Sequence, residues 1–289
     1  MTAAGARMTV PADRVMTFGH SRVQHGRLND RVYLMKLAPE DMPGLVARLD
    51  GVALNGGYAK IFARVPARFL PAFLRVGYRE EARIPNFFRG RAACAFLGKY
   101  FDPVRARERD RSRRREILAA CRQRAAGEAV RLPGSYNWAV AGPGDAGELA
   151  RLYRAVFETY PFPIHDPAFI RRSMKQDVRY GCVRHRGRLV ALCSADVSDD
   201  ESTVEMTDFA TLPEARGRRF ARYLLARMEE SMAARGILTA YTIARALSAA
   251  MNRTFAAQGY RYAGTLINNT QIAGALESMN VWYKPLRRA

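Results

Sequence analysis

Short apolar runs and helical periods alternate along the chain. The run 32–37 reads as a strand, 41–49 as a short helix and 58–65 as a second strand. From 66 to 76 apolar residues recur at helical spacing and stop at Gly77, a residue type that readily closes a helix. A further strand is expected near 92–97. After a charged interval, 138–140 opens a new strand, and Asp145 caps a helix running to about Glu158. Residues 182–183 and 189–195 flank the turn at Arg186, Gly187 and Arg188 as a hairpin. Strands follow at 203–210, 238–243 and 279–283. Between them Phe220, Ala221, Leu224, Leu225, Met228 and Met232 share one helical face, and 248–257 reads as another helix. Strands alternating with helices predict an α/β chain with a mixed central sheet.

The pattern contains an internal echo. Phe73, Gly77 and Tyr78 parallel Phe255, Gly259 and Tyr260 in spacing. A strand ending in Arg64 precedes the first set, and one ending in Arg245 precedes the second. A strand ending in an aromatic residue and Lys follows each, at Phe96 and Lys99 and at Trp282, Tyr283 and Lys284. Duplication of a strand–helix–strand unit accounts for the shared order. The resulting division has a flexible tail over 1–30, a smaller half-domain over 31–102, an Arg-rich connecting helix or linker over 103–135 and the main domain over 136–289.

Composition narrows the class. The chain has 289 residues, 48% of them hydrophobic and 26% charged, which fits a globular protein rather than a disordered one. No apolar stretch is long enough to span a membrane, and no signal peptide is apparent before residue 26. Cys94, Cys121, Cys182 and Cys193 form no close metal-type pair, so no metal and a reduced, cytoplasmic setting are expected. The formal net charge is +20, and all but five of the 47 cations are Arg. Ten of those Arg lie between 103 and 131, against Glu108, Asp110, Glu116 and Glu128. Without aromatic residues interleaved for base stacking, this run reads as a solvated connector, with a basic RNA-binding module as the alternative.

One segment carries chemistry. In 205–221 a strand containing Glu205 and Asp208 ends, Pro213 enforces a turn, and Arg216, Gly217, Arg218 and Arg219 lead into the amphipathic helix. The first turn of a helix leaves backbone N–H groups free and favours an anion. Gly217 lets the backbone approach a pyrophosphate closely. The segment resembles motif A of the GNAT acetyltransferase superfamily, whose pattern is Gln/Arg-x-x-Gly-x-Gly/Ala. Arg216 and Ala221 match it, and Arg219 stands where the pattern has Gly.

The runs 240–246, 251–255, 259–260, 264–270 and 277–284 resemble the beta-lysine N-acetyltransferase family of that superfamily. So do 159–164 and, in the N-terminal part, 33–37, 60–66 and 81–85. The resemblance covers roughly residues 30–286. It implies a GNAT acyl-CoA N-acyltransferase fold, preceded by a degenerate GNAT-like half-domain. It also implies acetyl transfer from acetyl-CoA to the terminal (epsilon) amine of beta-lysine. The product is a compatible solute used in osmoprotection, and the beta-lysine is supplied by a lysine 2,3-aminomutase. Another lysine-like or diamine acceptor is the alternative. Nucleic acid and membrane partners are not expected, and a homodimer is left open.

Site residues follow from the resemblance and from chemistry. An alkyl ammonium has a pKa of about 10.4, so reaching its neutral form at pH 7 costs roughly 4.6 kcal/mol and calls for a general base. Glu205 is the first candidate and Asp208 the second. Phe209, Ala210 and Thr211 lie where the superfamily polarises the thioester with a backbone N–H. Arg216, Gly217, Arg218, Arg219, Phe220 and Ala221, with Asn252 and Phe255, are the expected cofactor contacts. Phe255 occupies the position where many members have a proton-donating Tyr, which leaves Tyr260, Tyr283 or water for that role, or no donor at all, since a thiolate is a good leaving group. Arg245 is a candidate partner for the acceptor carboxylate. Tyr160, Asn268, Asn269, Glu277 and Asn280 are the remaining acceptor candidates.

Overall fold

A computed structural model describes residues 13–122, 129–272 and 274–286. The first strands are β1 (Arg14–Phe18), β2 (Ser21–Gly26) and β3 (Arg31–Lys36), followed by α1 (Gly44–Gly56) and β4 (Lys60–Pro66). Then come α2 (Leu70–Leu74), β5 (Arg79–Phe88), β6 (Ala92–Tyr100) and α3 (Arg111–Arg122). The second part runs β7 (Tyr136–Val140), α4 (Ala146–Val156), α5 (Pro167–Lys175), β8 (Val178–His185), β9 (Arg188–Ser198) and β10 (Thr203–Thr211). It ends with α6 (Phe220–Ala234), β11 (Thr239–Arg245), α7 (Ala249–Ala257), β12 (Arg261–Ile272) and β13 (Ala275–Pro285).

Among the described residues thirteen strands form one sheet, in the order β1-β2-β3-β4-β6-β5-β12-β13-β11-β10-β9-β8-β7. That order contains the same unit twice. Strands β1-β2-β3-β4-β6-β5 are matched, running inward from the other side, by β8-β9-β10-β11-β13-β12. In each unit the third and fourth strands are parallel and the others antiparallel. The two helix-to-strand corners agree in detail. Gly77 and Gly259 have φ of 90° and 86°. Tyr78 and Tyr260 donate backbone bonds to the carbonyls of Phe73 and Phe255. Each Tyr ring packs edge-on to that Phe, at 5.0 and 5.2 Å.

The repeat corrects two expectations. The tail assigned to 1–30 is tail in neither strand of β1–β2, which form a hairpin completing the first copy; residues 1–12 lie outside the described residues. The hairpin was silent in the apolar pattern because β1 is almost wholly exposed. Side chains anchor it instead: Asp41 accepts from the Ser21 N–H at 2.7 Å, and Asp13 accepts from the Asn29 amide at 2.6 Å. The connector is likewise not uniformly solvated. Arg105 is buried, donating to the carbonyls of Asn268 and Asn29 at 2.7 and 2.8 Å. Arg114 pairs with Glu108, and Ile117, Leu118 and Cys121 of α3 join the core of the second copy. Arg124 and Glu128 lie outside the described residues.

Helices cover the outer face of each copy, giving two separate apolar cores. A third core lies on the inner face, where Phe62, Phe87 and Phe96 meet Tyr241, Leu266, Val281 and Tyr283. This requires a strongly curled sheet. Arg64 on β4 reaches the Tyr241 hydroxyl on β11 at 3.0 Å, although the two strands are five places apart. In a flat sheet that separation would be about 24 Å.

The copies meet at β5 and β12, where one pair, Ala82 with Gly264, is in register. These two residues are equivalent in the repeat, separated by the same number of positions as Gly77 and Gly259. Gly264 has φ of 149°, and a Cβ there would lie 2.2 Å from the Glu81 carbonyl. Next to this pair β12 bulges between Leu266 and Thr270, freeing the Ile267 backbone from its ladder. The first copy satisfies it: Lys60 donates to the Ile267 carbonyl at 2.7 Å, and Glu81 accepts from its N–H at 3.0 Å. Lys60 and Glu81 pair with each other at 2.9 Å, with the Lys side chain fully buried. Burial lowers the Lys60 ammonium to about 8, against the pull of Glu81.

No described helix is long and apolar enough to cross a membrane. Replacing Lys60 by Met leaves the buried Glu81 carboxylate without its cation and takes one of two donors from the Ile267 carbonyl. The variant should lose about 3–5 kcal/mol of stability, read as a lower urea midpoint.

Candidate active site

The parallel pair β10–β11 is the origin of the site. Registered pairs run from Thr203 with Thr239 to Glu205 with Tyr241 and then stop, although both strands continue. A bulge between Thr207 and Ala210, with Asp208 at φ 53°, turns β10 away from β11. The sheet therefore splits, and a cavity of about 540 Å³ opens into the gap. Its walls are Thr207, Asp208, Phe209 and Thr211 from β10 and Thr242 to Arg245 from β11. Strand edges that part in this way present unladdered backbone N–H and C=O groups.

The floor of the cavity is the turn from Arg216 to Phe220, with Ala221. Gly217 has φ of 81° and open space where a Cβ would stand. Arg219, the N-cap of α6, is itself left-handed at φ 60°. The backbone thus keeps the shape that a glycine would take, at a cost of about 1–2 kcal/mol for a side chain there. No acidic residue lies in the first turn of α6, and Arg219 makes no side-chain cap. The free N–H groups and three Arg side chains suit a pyrophosphate. These residues fit the diphosphate of a CoA thioester, and the split fits its extended arm.

Carboxylates gather at the apex of the split. Glu205 is the last residue of β10 paired to β11 and stands just before the cavity wall. Its register neighbours are Asp196 on β9 and Tyr241 on β11, so the three side chains form a row on one face. Desolvation pushes the Glu205 carboxyl up to about 7, helped by Asp196 and opposed by the Tyr241 hydroxyl and Arg64. Asp208 is raised too, again by desolvation, while three hydroxyls hold it in the opposite sense. Those are Ser194 at 2.5 Å, Thr207 at 3.1 Å and Tyr160, a residue of the cavity wall.

The structure sorts the sequence candidates. Tyr160, Asp208, Phe209, Thr211, Arg216 to Ala221, Arg245 and Phe255 line the cavity. Ala210 is buried beside it. Phe255 packs edge-on against Phe209 and has no proton to give.

The asparagines are elsewhere, each engaged in structure. Asn252 is fully buried, donating to the carbonyls of Arg245 and Ser248 at 2.9 Å and accepting from Asn280 and the Trp282 indole. Asn280 in turn accepts from Thr265 at 2.7 Å. Asn268 holds the connector through the carbonyls of Arg105 and Arg107, and Asn269 lies buried beside Arg31. None of these four lines the cavity: Asn252, Asn268 and Asn280 spend their amides on partners in the seam or the α7 corner, and Asn269 is buried in the seam with its Oδ1 unpartnered. Arg245 and Glu277 neutralise each other in a two-point ion pair, which removes Arg245 as a free carboxylate partner. Tyr260 and Tyr283 also lie outside the cavity wall.

Sequence reasoning missed Ser194, Thr207, Asp196, Tyr241 and Arg64. Register could have found Asp196: counting back across the β9–β10 turn from Glu205 places it directly opposite.

The split mixed sheet with its bulged strand and the turn into α6 fit the GNAT class of N-acetyltransferases. The Acetyltransferase (GNAT) family matches residues 148–260. The chain is 35% identical to the Beta-lysine N(6)-acetyltransferase of Methanococcus maripaludis, over 94% of this chain and 98% of that one. It is 28% identical to the Beta-lysine N(6)-acetyltransferase of Methanosarcina mazei, over 86% and 97%. A solved ribosomal-protein-S18-alanine N-acetyltransferase from Escherichia coli is 15% identical, covering 53% of this chain and 96% of that one, with a TM-score of 0.47. The chain belongs to the beta-lysine N-acetyltransferase family of the GNAT acetyltransferases.

The left-handed Arg219 gives a direct check of the turn. Arg219→Gly should hold or raise stability by up to about 1 kcal/mol, whereas Arg219→Val should lower it by at least as much, both read by urea denaturation.

Proposed function

We propose that the protein transfers the acetyl group of acetyl-CoA to the terminal amine of beta-lysine, with Glu205 as general base. The product, N-epsilon-acetyl-beta-lysine, is a compatible solute. The observation that carries this reading is the place of Glu205: at the apex of the split, with its carboxyl near neutrality. Agreement with the names of the two relatives supports the acceptor.

Acetyl-CoA supplies an acetyl thioester open to attack by an amine: the C–N bond forms, the C–S bond breaks and CoA leaves as its thiolate. The turn at Arg216 to Phe220 anchors its diphosphate through backbone N–H groups and guanidinium charge. An N–H on the free edge of β10, in the stretch Phe209 to Thr211, faces the growing charge on the carbonyl oxygen. Glu205 takes the proton from the acceptor ammonium, directly or through one water. Asp208, fixed by Tyr160, Ser194 and Thr207, holds the neighbouring charge in place. Asp196 and Glu205 face Arg64, which is already paired with Glu201 at 3.2 Å, and Asp208 adds a further carboxyl nearby. The balance is negative and favours an acceptor carrying two ammonium groups over a neutral or anionic one.

Purified protein incubated with acetyl-CoA and beta-lysine should give a singly acetylated product, with tandem mass spectrometry placing the acetyl group on the terminal nitrogen. Acetylation of other diamines with beta-lysine untouched would sink the acceptor assignment. A base must be ionised to act, so kcat/KM should fall as pH drops through about 7, following the Glu205 carboxyl. In Glu205→Gln the rate should drop by about 10²-fold or more, and this acidic limb should vanish.

A further inference from the structure

One side chain of the first copy reaches across to the row of groups around Glu205 in the second. Arg64 lies near the end of β4, and its Nε donates to the Met35 carbonyl at 3.1 Å. Its Nη1 donates to the Tyr241 hydroxyl at 3.0 Å, and its Nη2 lies 3.2 Å from the Glu201 carboxylate. The side chain is only 12% exposed. All three bonds fix the guanidinium over one spot. Tyr241 is in turn the register neighbour of Glu205, so its side chain stands beside that carboxylate on the same face, and its hydroxyl opposes the upward push of burial on the Glu205 carboxyl. Its ring is clamped by Phe87 at 5.1 Å and Phe96 at 6.4 Å, both from the first copy.

We propose that Arg64 is a positioning residue for the general base: it orients the Tyr241 hydroxyl toward Glu205 and presents a fixed positive charge to it. This makes the N-terminal copy a working part of the catalytic centre, and it rests on Glu205 being the base. The chain of contacts is Glu201, Arg64, Tyr241, Glu205. A Tyr hydroxyl that accepts from a guanidinium keeps its own proton free to face a carboxylate, which suits the ionised state of Glu205. Other groups facing Glu205 are Asp196 on β9, Asp208 on its own strand and Tyr33 on β3, with Tyr160 beyond Asp208. Asp196 and Asp208 oppose ionisation of Glu205. Arg64 is the cation set against them.

The test is the pH dependence of kcat/KM for acetyl transfer to beta-lysine, in the full chain. Removing the cation in Arg64→Met should move the acidic limb to higher pH by about one unit. Tyr241→Phe, which keeps the ring between Phe87 and Phe96, should move it in the same direction. Arg64→Lys should restore part of the shift. Because Arg64→Met also strips Glu201 of its partner, the Tyr241→Phe variant serves as the measurement that survives a folding defect. A limb that stays in place in Tyr241→Phe and in Arg64→Met, each with near-normal thermal unfolding, would overturn the proposal, and so would an unshifted limb in Tyr241→Phe alone if Arg64→Met does not fold. Loss of the limb in Glu205→Gln, with no shift in the other variants, would refute the relay while leaving the base intact. Retention of the limb in Glu205→Gln would refute the base itself.

Discussion

The buried Lys60–Glu81 pair and the Ile267 backbone it holds are the constraint on which the rest depends. A bulge in a central strand leaves an N–H and a carbonyl without ladder partners, and such groups are costly to bury alone. Here both are met by side chains of the other copy, and Tyr100 adds a bond to the same carbonyl at 3.2 Å. Neither copy can bury its seam strand by itself. The joint also sets the curl that brings β3 and β4 over β10 and β11, and so places Arg64 above the row of Glu205.

The two copies share an order of strands and differ in what fills the gap between the parallel pair. In the second copy the strands part after Glu205, and the split is a cavity. In the first copy the registered pairs stop at Leu34 with Ala63, and the next carbonyl, Met35, is taken by the Arg64 guanidinium. The first copy also lacks the Arg-rich turn, since α1 is entered through Pro43 and Gly44. One copy has an open split floored by Arg residues, and in the other a guanidinium bonds to the backbone where the parallel strands part.

Legibility followed burial on a single face. The helix α6, strands β10 and β11 and the turn at Arg216 stood out because each has an apolar side against a core and a distinctive loop. Strands β5 and β12 did not, because much of their inward surface meets a polar seam, and Glu81, Asn268 and Asn269 break the alternation. The asparagines were misassigned for a related physical reason. An amide that can orient a substrate can equally satisfy a bulged backbone, and residue type alone does not separate the two uses. Arg245 and Glu277 were each plausible ligands taken singly; only their proximity shows that they neutralise one another. The repeat, in contrast, was visible from two Gly-Tyr corners, because a left-handed glycine and a T-shaped aromatic pair impose a fixed spacing.

The seam has a further consequence during synthesis. The N-terminal copy leaves the ribosome first, and β12 is made last but one among the strands. Until then β5 is an unpaired edge, the kind of surface that recruits foreign strands. Its sequence is built for that interval: Arg79, Glu80 and Arg83 point charge outward, and Pro85 removes an N–H from the ladder. The same charged edge that obscures β5 in a hydrophobicity pattern therefore guards the nascent chain until its own second copy arrives to cover it.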